Sequence, residues 1–455
     1  MRLFADVKAQ EGVTCLILIA NIFLILTAYY LIKPVRESWL VVTDIQGFTK
    51  VEVKAYSAFA QSLLLVAILP LYSRLAATVS RRTLILSVGG CFALLLLGFW
   101  FVQPGSALSL FPYMGIIFYL FVGIFSVTLV AQFWAFSSDL YGPERGKRLF
   151  PIVAIGAALG AVFGSWIGEH LIRDVGVEAF DLILMSLVPL GLALAMAAWS
   201  DRRGTYGSPS AWTTDRWQEA AAPSSQGPFN LIMGHRYLVA TALMILIFTW
   251  VVASGDNILF AVVQETVTES LAAQNLSDAD YAIALKEATT LFYSSLYFWV
   301  NLCALILQAF FVSRILKYGG MRMLLLTTPI ISLFAYAAMM FAPVLAIVKA
   351  VKVAENSSNL SVNNTARHML WLPTSKEMLY KAKPTIDTLF VRLGDGMAAL
   401  TVLIGTRVVE LTMANFIFIN LVLIVVWIIL CIYLYQENHR WSEAQLEEFA
   451  DVIPK

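Results

Sequence analysis

The chain has 455 residues, 59% of them hydrophobic and only 13% charged, with a formal net charge of +1. A mean hydropathy of +0.76 excludes an ordinary soluble enzyme and marks an all-α integral membrane protein that crosses the bilayer many times. Its Lys and Arg are spread along the chain by topology, not massed on one surface, so nucleic acid is not expected as a partner.

Residues 1–11 form a short lead with Arg2 and Lys8, and the apolar run that follows is too long for a signal-peptide core and has no small-residue cleavage pattern. Bilayer-length apolar stretches then recur at about 12–40, 52–73, 83–103, 109–137, 150–172, 180–199, 236–263, 287–312, 322–342, 345–372, 384–406 and 410–435. That is about twelve transmembrane helices.

The first span ends TAYYLIKPVRESWLVV, Thr27 to Val42, and carries Lys33, Arg36 and Glu37. A helix stopping at Ile32 would leave these charges at the outer surface, with Pro34 as a kink. A longer helix would instead turn Lys33 and Arg36 towards a wet cavity. The fifth span holds Gly156, Gly160, Gly164 and Gly168, a small-residue ladder that lets two helices approach closely. Its expected place is the seam between bundles.

The stretch Ser200–Gly234 is rich in Gly, Ser, Pro, Thr and Ala and divides the spans six and six. The expected plan is a six-helix bundle over 1–199, a cytoplasmic linker over 200–234, a second six-helix bundle over 235–436 and a cytoplasmic tail over 437–455. Short basic loops at equivalent places, SRLAATVSRR and SRILKYGGMR, suggest an internal duplication of the major facilitator kind. Arg and Lys concentrate in alternate loops, placing both termini in the cytoplasm.

In the seventh span, Asp256 and Asn257 follow Gly255. Asp256 could carry a coupling proton, orient a cation, or pair with Lys33 or Arg36, and pairing is the default. The segment Gln264–Glu287 is acidic, and its role is not legible.

The tenth span breaks the rule that lipid-facing helices are apolar, for it carries Lys349, Lys352, Glu355, Asn356, Asn359, Asn363 and Arg367. At about 100° per residue, all of these except Glu355 fall within an arc of roughly 80°. Lys349 and Arg367 could each snorkel to a membrane surface. The asparagines between them could not, so this face is expected to line a polar cavity shared with Lys33 and Arg36. Several cations at similar depth call for an anion, or for carboxylates such as Glu37 and Glu355. In the eleventh span, Arg392 and Asp395 stand one turn apart and are expected to bridge internally, with substrate contact as the other option.

The four cysteines lie inside apolar spans with no CxxC pair, and the four histidines are scattered, so neither disulfides nor a metal site is expected. Nucleotide-hydrolase, zinc-protease and serine-nucleophile signatures are all missing from the sequence. The expected protein is therefore a transporter without bond-breaking chemistry and without a cofactor, monomeric, with a small anionic solute as its partner. The competing possibilities are a proton-coupled carrier of another organic anion, with Asp256 or Glu37 protonated, and a non-transporting sensor or assembly protein on the same fold.

Three stretches resemble the ATP/ADP translocase family of plastids and intracellular bacteria, a relative of the major facilitator proteins: YYLIKPVRESWLVV, QFWAFSSDLYGPERGKRLFPIVAIGAALG, and ARHMLWLPTSKEMLYKAKPTID. The resemblance implies exchange of ATP and ADP across a bacterial inner membrane, with intramembrane cations holding phosphates and no hydrolysis. Arg36 and Arg367 stand where the family has lysines. The family's seventh-helix glutamate has no match here, because Asn257 is followed by ILFAVVQE, with no acid before Glu265.

Overall fold

The computed structural model describes residues 12–79, 81–104, 112–140, 143–203, 227–274, 276–375 and 377–452. Among these the regular structure is entirely helical. The longer helices are α1 (Gly12–Val42), α2 (Lys50–Thr78), α3 (Arg81–Phe101), α4 (Met114–Leu140), α5 (Pro143–His170) and α6 (Asp181–Arg203). After a short α7 (Pro228–Met233) come α8 (Arg236–Ala272), α9 (Asp278–Ile306), α10 (Val312–Phe341) and α11 (Leu345–Ser358). The series closes with α12 (Asn364–Met369), α13 (Lys383–Thr385), α14 (Val391–Arg407) and α15 (Met413–Val452).

Ten described segments are long and apolar enough to cross a membrane. One of them, Asp278–Phe341, is 64 residues long, about three times what a single crossing needs. It turns at Gly320, whose φ of 60° and ψ of −161° suit only glycine, so it provides two traverses. The stretch beginning at Leu345 is a further traverse, less apolar than the others because of its charges and asparagines. With one of the ten segments crossing twice and the Leu345 stretch added, the twelve expected spans are accommodated.

The chain packs as two compact units, one made of 1–211 and 263–301, the other of 212–262 and 302–455. Residues 204–226, the middle of the expected linker, lie outside the described residues.

The first unit is built round α1, which packs against α4, α5 and α6. Helix α1 does not stop at Ile32 but continues through Pro34 to Val42. The charged triplet is therefore carried on helix, with Ile32, Val35, Trp39 and Leu40 buried beside it. The glycine ladder fixes the α1–α5 contact. A Cβ on Gly160 would lie 2.3 Å from the Phe23 carbonyl oxygen, and one on Gly156 2.5 Å from that of Ile19. Because both obstacles are backbone, neither can move aside. Gly156, Gly160 and Gly164 thus pack against α1 of the same unit; glycine spacing reveals a small face but not its partner.

In the second unit, α10 packs against α11 and α15. The core is formed by Tyr237, Leu238, Ile245, Phe248, Leu324, Leu325, Trp427 and their neighbours. Tyr237 is pinned by a bond from its hydroxyl to the Leu370 carbonyl and by one at 3.0 Å from Asn438. The stretch expected as the tail continues the last span as helix, since α15 runs unbroken to Val452. Its 40 residues span about 60 Å, twice the thickness of a hydrocarbon core.

Candidate functional site

In the first unit the charged residues of α1 meet tyrosines. Lys33 Nζ lies over the Tyr297 ring at 3.9 Å, with the Tyr30 and Tyr29 rings at 5.0 and 5.6 Å. One turn on, Arg36 places its guanidinium 4.3 Å from the Tyr119 ring centre. Its Nη2 and Nε both donate to Glu37 Oε1, at 2.5 and 3.2 Å. The other carboxylate oxygen of Glu37 lies 3.0 Å from Lys54 Nζ on α2. Both Glu37 and Lys54 are almost fully buried, so this is a desolvated pair, which breaking would leave as an uncompensated charge.

Lys54 was missed in the sequence. Four residues into α2, it reads as a cation snorkelling from a helix end. The tyrosines were missed because aromatic residues on a helix normally signal core. Among neutral contacts, Thr290 donates to Ser38 at 2.9 Å and ties the 263–301 segment to α1.

The second unit holds a different arrangement. Lys352 has no exposed surface, and its Nζ lies 2.9 Å from Asp256 Oδ1 and 2.5 Å from Glu355 Oε2. The Tyr336 hydroxyl donates to the same Glu355 oxygen at 3.3 Å. Gly255 makes room for this cluster, since a Cβ there would lie 1.8 Å from the Tyr336 hydroxyl and 2.9 Å from Lys352 Nζ. Asp256 thus has Lys352 as an ion-pair partner, a choice the sequence left out in favour of Lys33 or Arg36. The reason is local: Gly255 removes the side chain that would hold α8 and α11 apart. Asn257 is buried beside Asp256, while Lys349 is half-buried one turn before Lys352.

Beyond Ser358 the helix widens over Asn359–Asn363 into an i→i+5 turn before α12 resumes. Wide turns of this kind occur often at functional sites. Here the turn coincides with the asparagine run. Asn363 Nδ2 donates to Asn359 Oδ1 at 3.0 Å, while Asn356 is half-buried on the preceding turn. Arg367 stands fifteen positions beyond Lys352, about 22 Å of rise along a regular helix. It bonds Asp387 at 3.1 Å and lies over Phe248, and Asp387 also receives Lys383. Lys352 and Arg367 are therefore held by separate carboxylates at separate heights on the stripe. Arg392 bridges to Asp395 at 3.2 Å, the internal pair expected from their spacing.

No family model matches the chain. ADP,ATP carrier protein 1 of Chlamydia pneumoniae is 20% identical to it over 307 residues, 60% of this chain and 57% of that one. The match thus spans little more than half of that carrier's length. Among solved structures, a bacterial homologue of the human lysosomal transporter Spinster, inward-facing and unoccupied, aligns with a TM-score of 0.57. It shares 13% identity, over 96% of this chain and 98% of its own. The nucleoside transporter NupG aligns with a TM-score of 0.59 at 12% identity, over 93% of this chain and all of its own. The fold is that of the major facilitator-type membrane transporters. In sequence the chain is distantly similar to that ADP,ATP carrier, the kind of protein that its motifs resemble.

Proposed function

We propose that this protein carries adenine nucleotides, or a closely related phosphorylated anion, across a bacterial inner membrane by alternating access, exchanging one for another. Both termini are cytoplasmic in this reading, and the carrier works as a monomer. The observation that supports it most directly is Arg36. A guanidinium has five N–H donors, and Glu37 takes two of them. Arg36 can thus keep its internal partner and still offer donors to a phosphate, in a setting where Lys33, Lys54 and several tyrosines lie near the same turns. The likeness to ADP,ATP carrier protein 1 favours a nucleotide as the anion.

Counterflow is the direct test. Proteoliposomes preloaded with unlabelled ATP, ADP, other nucleotides, sugar phosphates or organic acids are given the labelled compound outside. Accumulation of labelled ATP or ADP above all other solutes is the expected outcome. Accumulation of a carboxylate alone, or of nothing, removes this reading.

A second reading, proton-coupled movement of the anion, is favoured by one feature. Lys352 is already matched by two carboxylates, Asp256 and Glu355.

A further inference from the structure

The cluster round Lys352 contains one cation and two carboxylates, on α8 and α11, together with the Tyr336 phenol on α10. Fully ionised, it would carry a net negative charge with Lys352 at 0% and Glu355 at 1% exposure. A dry site avoids a net charge by neutralising a group. The two carboxylates differ in which can give up its charge more readily. Asp256 is 46% exposed as it pairs with Lys352. Glu355 is sealed, and its two oxygens are unequal. Oε2 faces Lys352 and Tyr336, while Oε1 is buried with no hydrogen-bond partner. An ionised carboxylate accepts at both oxygens, and a bare buried anionic oxygen is far costlier than a buried neutral hydroxyl.

We infer that the Asp256–Lys352–Glu355 cluster is a proton-binding site, that the proton resides on Glu355, and that this proton is gained and lost during transport. The inference rests on the chain being a transporter but not on which anion it carries. A proton on Glu355 removes one of the two negative charges holding Lys352. Lys352 is then better able to meet an incoming anion, so proton and anion assist each other's binding. Loss of the proton restores the second counter-charge and displaces the anion. The sign follows: proton and anion travel in the same direction, and an acid exterior drives uptake. Among the described residues, the charged or titratable groups facing Glu355 are Lys352, Asp256 and Tyr336.

Infrared difference titration of the purified, substrate-free protein in detergent tests the site without any substrate. Between about pH 6 and pH 8, wild type should show the carbonyl stretch of a protonated carboxyl group. That band should vanish in Glu355→Gln and shift when glutamate carries a carbon-13 carboxyl, but not when aspartate does. A band that is absent, that survives Glu355→Gln, or that moves with labelled aspartate overturns the assignment. Tyr336→Phe, which leaves both carboxylates in place, should keep the band, and its loss there would also count against Glu355. Coupling is tested by ATP uptake into proteoliposomes with and without an acid-outside gradient. Wild type should show a ratio of at least about fivefold that a protonophore abolishes, and Glu355→Gln a ratio near one. Equal uptake in wild type with and without the gradient refutes coupling, as does a sodium gradient that drives uptake where the proton gradient does not. If ATP is not carried at all, the nucleotide assignment fails, while the infrared result still decides the proton site.

Discussion

Replacing Arg36 by Lys keeps the charge and removes the geometry. Arg36 satisfies Glu37 with two N–H groups while its plane rests 4.3 Å from the Tyr119 centroid. Three donors remain. A lysine ammonium at this place meets Glu37 with one donor and cannot present a second, parallel pair to a phosphate. Losing the ring contact costs about 0.5 to 2 kcal/mol, and losing one charge-assisted hydrogen bond about 1.5 to 3 kcal/mol. Part of the ring contact exists in the empty protein as well, so only the share realised on binding counts. A loss of about 2 kcal/mol is therefore expected, which is roughly thirtyfold in Kd. The assay is equilibrium binding to purified protein of whichever phosphorylated anion leads the counterflow panel, with the melting temperature in detergent as a check on folding. Arg36→Gln should weaken binding further. A folded Arg36→Lys protein whose Kd stays within twofold of wild type would show that this guanidinium is structural and does not grip the anion.

Lys54→Met leaves Glu37 without one of its two buried cations, so stability should fall by about 3 to 5 kcal/mol; this is read as a lower melting temperature that the Lys54→Met/Glu37→Gln double variant partly restores. Gly160→Leu drives a side chain into the Phe23 backbone and should cost about 1 to 3 kcal/mol, whereas Gly191→Ala, with nothing within 4 Å of its Cβ, should melt like wild type. Lys352→Gln should weaken anion binding by roughly thirtyfold, the effect of removing one partner of a buried charged contact. Lys349→Gln, at a half-buried place nearer the helix start, should matter least; the reverse order in the same binding assay would reassign the stripe. A cysteine at Ser208, outside the described residues, should resist membrane-impermeant thiol reagents on intact cells when the native cysteines are removed, and free labelling would invert the proposed topology.

Spans were legible in the sequence because a chain crossing lipid must satisfy its backbone within long apolar helices, and nothing in a soluble core demands that length. The charges of α1 were legible for a related reason: the apolar pattern continues past Lys33 and Arg36 to Val42, and the helix follows it. Pairing was less legible. Asp256 lies ninety-six positions from Lys352, and only the missing side chain at Gly255 brings them together. The wide turn at Asn359–Asn363 was invisible, since helix propensity does not distinguish i→i+4 from i→i+5 bonding. Tyr119, Tyr293 and Tyr297 stay hidden among the 17 tyrosines of the chain until the fold places them against Arg36, Lys54 and Lys33.

The charge pattern also changes the physical case for exchange. If the cavity cations were bare, an empty carrier would resist closing over them, and a counter-substrate would be needed for each crossing. In the structure Arg36 and Lys54 share Glu37, and Lys352 has both Asp256 and Glu355. Each unit answers these cations from within, so repulsion between them is a weak barrier to return of the empty protein. Under the proposed function an anion meets competition instead: at Arg36 it would share the guanidinium with Glu37, and at Lys352 it would compete with two carboxylates. At Arg36 sharing is possible through the spare donors of the guanidinium. At Lys352 an ammonium flanked by two anions has little left to offer, and protonation of Glu355 is the step that frees it. Tight exchange, if it occurs, then follows from how slowly those internal pairs re-form after the anion leaves, and not from the charge of an empty cavity.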